Sequence, residues 1–167
     1  MLAATLSGLF GVYSGFELCD AAPVPGKEEY LDSEKYIVKP RDWQAPGNII
    51  GDITLLNRLR RAHPALQTHL NTRFLPAYND QVIFYAKPAP DGSEMLLVMV
   101  SLDPHHVQET GFELPLWEFG IPDDGSIAVE DLAAGHRFRW HGKTQTIRLD
   151  PEPVSYTHLT LPTICSV

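Results

Sequence analysis

The densest set of chemically capable side chains lies in Glu28-Glu29-Tyr30-Leu31-Asp32-Ser33-Glu34-Lys35-Tyr36. The carboxylates could act as acids or bases. The Lys35 ammonium offers up to three hydrogen-bond donors, and Tyr36 joins an apolar ring to a phenol that both donates and accepts. Irregularly spaced carboxylates in a polar run are first of all a solvated loop face, so Glu28, Glu29, Asp32 and Glu34 are assigned no acid–base role. By residue type alone Lys35 is likewise a solvated loop charge. Upstream, Val12-Tyr13-Ser14-Gly15-Phe16-Glu17 supplies a second phenol and carboxylate. Tyr13 and Glu17 there either pack and hydrogen-bond behind a site or touch a ligand directly. His105 and His106 are adjacent, so on an extended chain their rings point apart, and no Cys or carboxylate cluster completes a metal site around them. Ser14 lacks the first glycine of a Gly-x-Ser-x-Gly elbow, which is Val12 here, and no glycine-rich phosphate cradle is present. No cofactor is expected.

These residues need elements to hold them. The charged, proline-containing stretch 21–44 is long for a connector, and long loops in compact domains are commonly binding loops. Before it, the apolar run 1–6 shows no polar alternation and predicts a strand covered on both faces, as in a parallel sheet. After it, Ile49, Ile53, Leu56, Leu59 and Ala62 recur at helical spacing behind Asn48, which predicts a helix over 49–62 with Asn48 as N-cap. Pro64 should stop that helix at His63. Arg58, Arg60 and Arg61 are expected on its solvated side. Strand, loop and helix together read as one unit of an α/β barrel.

Beyond Arg73 the period changes from helical to alternating. Short β-like runs at 82–85, 95–102, 111–114, 127–132, 136–140 and 144–149 are separated by turns such as Asp91-Gly92, Asp124-Gly125 and Gly142-Lys143. They predict an antiparallel sandwich. Phe138 and Trp140 alternate with Arg137 and Arg139, so that strand should have one buried and one wet face.

At 167 residues the chain is too short for a closed (β/α)₈ barrel of roughly 250 residues. A piece of a longer protein is therefore expected, with Met1 an internal methionine. The net charge of −8 and the lack of any basic cluster besides Arg58, Arg60 and Arg61 argue against a nucleic-acid surface. Cys19 and Cys165 are too few and too far apart for a disulfide framework, which makes a reducing cytoplasm the default. Cys19 is expected to be a small buried apolar residue. No Lys or Arg precedes Lys27 and Glu17 sits where a cleavage region should be neutral, which opposes a secretory signal. No apolar run approaches the ~20 residues of a membrane span.

Read in frame, the stretches 11–18 and 28–36 resemble the last strand-loop of the bacterial α-1,4-glucan:maltose-1-phosphate maltosyltransferases, a subgroup of the α-amylase superfamily. Asp103-Pro104-His105-His106 is similar to a motif of that family's sandwich. The resemblance reaches to about Pro153. It implies an α+β fragment: the last strand, loop and helix of a (β/α)₈ barrel over 1–74, then an antiparallel β-sandwich over 75–153. It further implies that Lys35 and Tyr36 contact the maltosyl group of α-maltose 1-phosphate, that the acceptor is an α-1,4-glucan, and that the parent is a homodimer. The catalytic carboxylates of such a retaining enzyme would lie upstream, leaving this piece inactive. Other α-amylase-superfamily hydrolases or transferases, and a non-catalytic carbohydrate-binding module, remain open alternatives. Residues 154–163 resemble the translation of a sequencing-library adapter, so 154–167 is expected to be non-native and the sandwich to lack its last strand.

Overall fold

The computed structural model describes residues 1–31 and 38–151, together with the backbone of a short strand at Pro162–Ile164. Helices α1 (Leu2–Leu6) and α2 (Ile50–Ala62) precede strands β1 (Arg73–Leu75), β2 (Val82–Pro88), β3 (Met95–Ser101), β4 (Gln108–Glu113), β5 (Ser126–Asp131), β6 (His136–His141), β7 (Thr144–Leu149) and β8 (Pro162–Ile164). Six strands form one sheet in the order β1-β2-β3-β8-β5-β6, and β4 pairs with β7 in a second. Among the described residues every strand pairing is antiparallel.

The alternation of β3 places it at the centre of three layers. Met95, Leu97 and Met99 join Phe84, Phe112, Leu114 and Val129 in the core between the two sheets. Leu96, Val98 and Val100 point the other way and join Tyr85, Leu59, Ala65 and Leu66 beneath the helices. Strand β3 is thus buried on both faces, which is why its sequence shows an unbroken apolar run. Each such side chain contributes about 1.5–3 kcal/mol of burial, and a carboxylate at Val98 would put an unpaired charge in the helix–sheet seam. Across the inter-sheet core Phe84, Phe112 and Trp140 make successive edge contacts at centroid distances of 5.2 and 5.5 Å.

Helix α2 ends as its sequence predicts, with His63 extended ahead of Pro64. Its start falls one residue later than expected, with Ile49 rather than Asn48 in the cap position, although the Asn48 Oδ1 accepts from the Ile50 amide at 3.2 Å. Leu56 and Leu59 are buried, whereas Ala62 is exposed. The strands over 82–149 follow the sequence expectation closely. Strand β1 was not predicted, because three residues carry too little alternation to read. Strand β6 is less covered than expected: Phe138 is exposed and Trp140 half-buried, because β6 ends the sheet.

Three expectations need correction. The run 1–6 is helix, not strand. Its backbone is satisfied locally, with the Ala4 and Thr5 amides bonded to the Met1 carbonyl at 2.9 and 3.2 Å. Among the described residues no strand lies beside it, and an unpartnered strand would leave its polar backbone unpaired. Leu and Ala also favour helix. The second correction concerns Arg60, which points inward rather than to solvent. It donates to the carbonyls of Ala4, Ser7 (2.8 Å), Gly8 (2.8 Å) and Leu66 (3.2 Å), which ties the end of α1 to α2. Cys19 is the third: it is exposed, with a left-handed backbone at φ 56°, closing a short 3₁₀ turn over Phe16–Leu18. Its amide bonds the Phe16 carbonyl at 3.0 Å, so position, not hydrophobicity, fixes it.

Candidate functional site

An open cleft of about 660 Å³ lies beside the helices, lined chiefly by apolar groups. One wall is the loop 10–13, another Ile49 and the N-terminal half of α2 through Asp52, Ile53 and Leu56, and Tyr13 and Tyr30 also line it. The two tyrosine rings stack at 5.7 Å with planes 7° apart. Both remain about half exposed, at 48% and 46%.

Local backbone chemistry puts Tyr30 there. A Pro-Val-Pro-Gly turn reverses the chain, with Gly26 in the left-handed region at φ 74°. Val24 and Leu31 then donate to the carbonyls of Glu29 and Ala22 at 2.7 and 2.8 Å, and Pro23 bridges Tyr30. The loop 22–31 is therefore a small hairpin carrying Tyr30 onto Tyr13. Downstream, Lys39 pairs with Asp20 at 2.5 Å and the Arg41 guanidinium donates to the Ser14 carbonyl at 3.0 Å. Gly15 makes the latter possible, since at φ 100° a Cβ there would stand 2.9 Å from Arg41 Nε. The Lys39 ammonium bonded to Asp20 holds that carboxyl below the usual carboxylate range.

Of the residues expected to carry function, Tyr13 lines the cleft. Glu17 turns back on its own loop, its Oε2 accepting from the Gly15 amide at 2.9 Å, while its carbonyl accepts from the Ile49 amide at 2.8 Å. Lys35 and Tyr36 lie outside the described residues, as do Asp32 and Glu34. Tyr30, Lys39 and Arg41 were not singled out from sequence for this site. The proline-glycine turn at 23–26 was the available signal for the first, and Gly15 for the last. Among the described residues the cleft offers stacked phenols and an apolar floor, with the carboxylates of Asp52 and of Asp20, the latter paired with Lys39, in its lining. The Asp103 motif closes the turn between β3 and β4: its Oδ1 accepts from the His105 and His106 amides at 2.8 and 3.2 Å. Among the described residues no group of three or more metal-ligating side chains converges, and no helix is long and apolar enough to cross a membrane.

The class of fold is set by comparison with solved structures. The chain superposes over 98% of its length on 34% of the noncanonic maltogenic α-amylase AmyB from Thermotoga neapolitana, with a TM-score of 0.66 and 15% identity. The two share a mostly antiparallel β structure with few helices. The family described as GLGE, C-terminal, matches residues 74–159, more than half of the chain, and the chain belongs to that family. Curated relatives named alpha-1,4-glucan:maltose-1-phosphate maltosyltransferase include those of Pseudomonas aeruginosa, 59% identical over 150 residues, and Cereibacter sphaeroides, 53% over 155 residues. These alignments cover 90% and 93% of this chain but 23% of each relative. A relative in Chlorobaculum tepidum is 40% identical over 171 residues, covering 97% of this chain and 26% of its own length. The chain thus spans about a quarter of the length of these three relatives.

Proposed function

We propose that the chain is the C-terminal part of an enzyme that moves maltosyl units from α-maltose 1-phosphate to the non-reducing end of an α-1,4-glucan. The observation that carries this reading is the 59% identity over 150 residues to a relative named for that reaction. In it, 1–74 is the end of a (β/α)₈ catalytic barrel and 75–153 its β-sandwich.

Lys35 and Tyr36 hold the maltosyl group, the ammonium by donating to sugar hydroxyls and the phenol by packing on a sugar face. Tyr13 and Glu17 support them, and the Tyr13–Tyr30 stack is consistent with a sugar-binding cleft. Retention of configuration requires a carboxylate nucleophile and a second carboxyl group that switches between acid and base. Both are assigned upstream of Met1, so the piece by itself is inactive. The parent is a cytoplasmic homodimer, and 154–167 is adapter-derived.

Extending the reading frame upstream and measuring phosphate release from α-maltose 1-phosphate with glycogen tests the function. Release by the extended protein and none by the 167-residue chain is expected. No release by the extended protein, or turnover by the short chain, overturns the reading. Re-sequencing the locus by a different library chemistry tests the tail, which should disappear.

A further inference from the structure

On the outer face of the β4–β7 sheet, Tyr78 is 64% exposed yet held in a fixed place. Its amide donates to the Gly111 carbonyl at 3.0 Å, and Ala77 bridges Phe112, so the residue runs beside β4 as a partial third strand. The ring lies against Gly111, where an added Cβ would meet Tyr78 Cδ2 at 3.1 Å. The phenol donates to Glu113 Oε1 at 3.2 Å, which keeps it protonated: the bond to the carboxylate, ahead of burial, raises its pKa above the ordinary tyrosine value. Lys143 stands 3.9 Å from Glu113 and 3.0 Å from Asp123. Opposite Gly111 in the register is Thr146, exposed and bearing a hydroxyl.

We propose that Tyr78, with Glu113, Lys143 and Thr146, is an accessory binding platform for an α-glucan chain. The chemistry needed to hold a neutral sugar is a fixed aromatic face for its C–H surface, flanked by acceptors and donors for its hydroxyls, and these residues supply each part. Two carboxylates against one ammonium make the patch unfavourable for a sugar phosphate or a nucleic acid. The platform lies on the layer farthest from the cleft, with the six-stranded sheet between them. It therefore engages long or branched glucan and not the donor. The choice of glucan rests on the function proposed above.

The test measures binding of glycogen and of maltoheptaose by the 167-residue chain, using affinity electrophoresis and calorimetry. Wild type should bind, Tyr78→Ala should bind at least about tenfold more weakly, and Tyr78→Phe, which keeps the ring, should retain most of the affinity. Trp117→Ala, which removes another exposed aromatic, should change nothing. Absence of binding by wild type overturns the inference, as does a Tyr78→Ala variant that loses melting temperature but keeps wild-type affinity, since the ring would then only shield the glycine of β4. Binding is read without turnover. Binding without phosphate release by the extended protein would sink the proposed reaction and leave the platform standing, whereas release without binding would do the reverse.

Discussion

The hydroxyls of Thr5 and Tyr85 share a 2.5 Å hydrogen bond in the fully buried seam between α1 and the six-stranded sheet. Thr5 also bonds the Met1 carbonyl at 3.2 Å, so Tyr85 is the donor between the two. Burial drives the Tyr85 phenol up to about 12, which keeps the donating proton in place.

The roles of the pair are unequal. Tyr85→Phe removes the donor and leaves Thr5 bonded to Met1, a loss of about 1 kcal/mol. Thr5→Val strands a buried phenol, which costs about 1–3 kcal/mol. Urea denaturation of both single variants and the double variant measures this; equal single losses that add fully would show that the hydroxyls do not interact.

Lys87 is fully buried on β2, its Nζ donating to the Thr68 carbonyl at 2.7 Å and Thr72 Oγ1 at 3.1 Å. Loss of water, with the charge of Arg60 adding, lowers its pKa from 10.5 to about 8. Between those values the unfolded chain keeps a proton that the folded chain has released, so stability rises with pH across that window, by about 3 kcal/mol at most. Tyr85 acts oppositely above pH 10: the unfolded phenol ionises first, and stability falls towards pH 12. The urea midpoint should climb from pH 8 to 10 in wild type and lose that rise in Lys87→Met. A Lys87→Met profile identical to wild type would contradict the assignment.

Arg60 spans four carbonyls with one planar group, which an ammonium cannot reproduce. Arg60→Ala should destabilise by about 2–4 kcal/mol, with Arg60→Lys recovering only part. Arg58→Ala, at an exposed position, should stay within about 0.5 kcal/mol. Thermal melts of the three variants decide it, and an Arg60→Ala melt like that of Arg58→Ala would refute the clasp.

In the upstream-extended enzyme, Lys35→Ala should lower kcat/KM by roughly 10- to 150-fold for each charge-assisted bond lost. Tyr36→Phe should cost less because the ring still packs. Both variants should melt near wild type. Unchanged kinetics in Lys35→Ala would remove Lys35 from the site, and an unfolded variant would make it a structural ion-pair partner.

Much of the fold was legible because its signals are local. The β-like runs and turns over 82–149 mark where the strands lie, and Pro64 ends α2 at His63, whereas the burial of β3 on both faces was not read from its sequence. The resemblance in 11–36 likewise lies in the residues themselves. Tertiary structure alone decided the rest, because it depends on which surfaces meet. The apolar run 1–6 is compatible with strand or helix, and the structure closes it as helix, with the Ala4 and Thr5 amides on the Met1 carbonyl. Arg60 reads as one of three solvated arginines until the end of α1 presents its unpaired carbonyls. Tyr13 and Tyr30 become a stacked pair only when the 22–31 hairpin folds back, and Tyr78 becomes a platform only because β4 sets a side-chain-free glycine beneath it. A periodicity reports how a segment divides between apolar and polar faces, whereas a contact between distant residues is set by the closure of the loops between them.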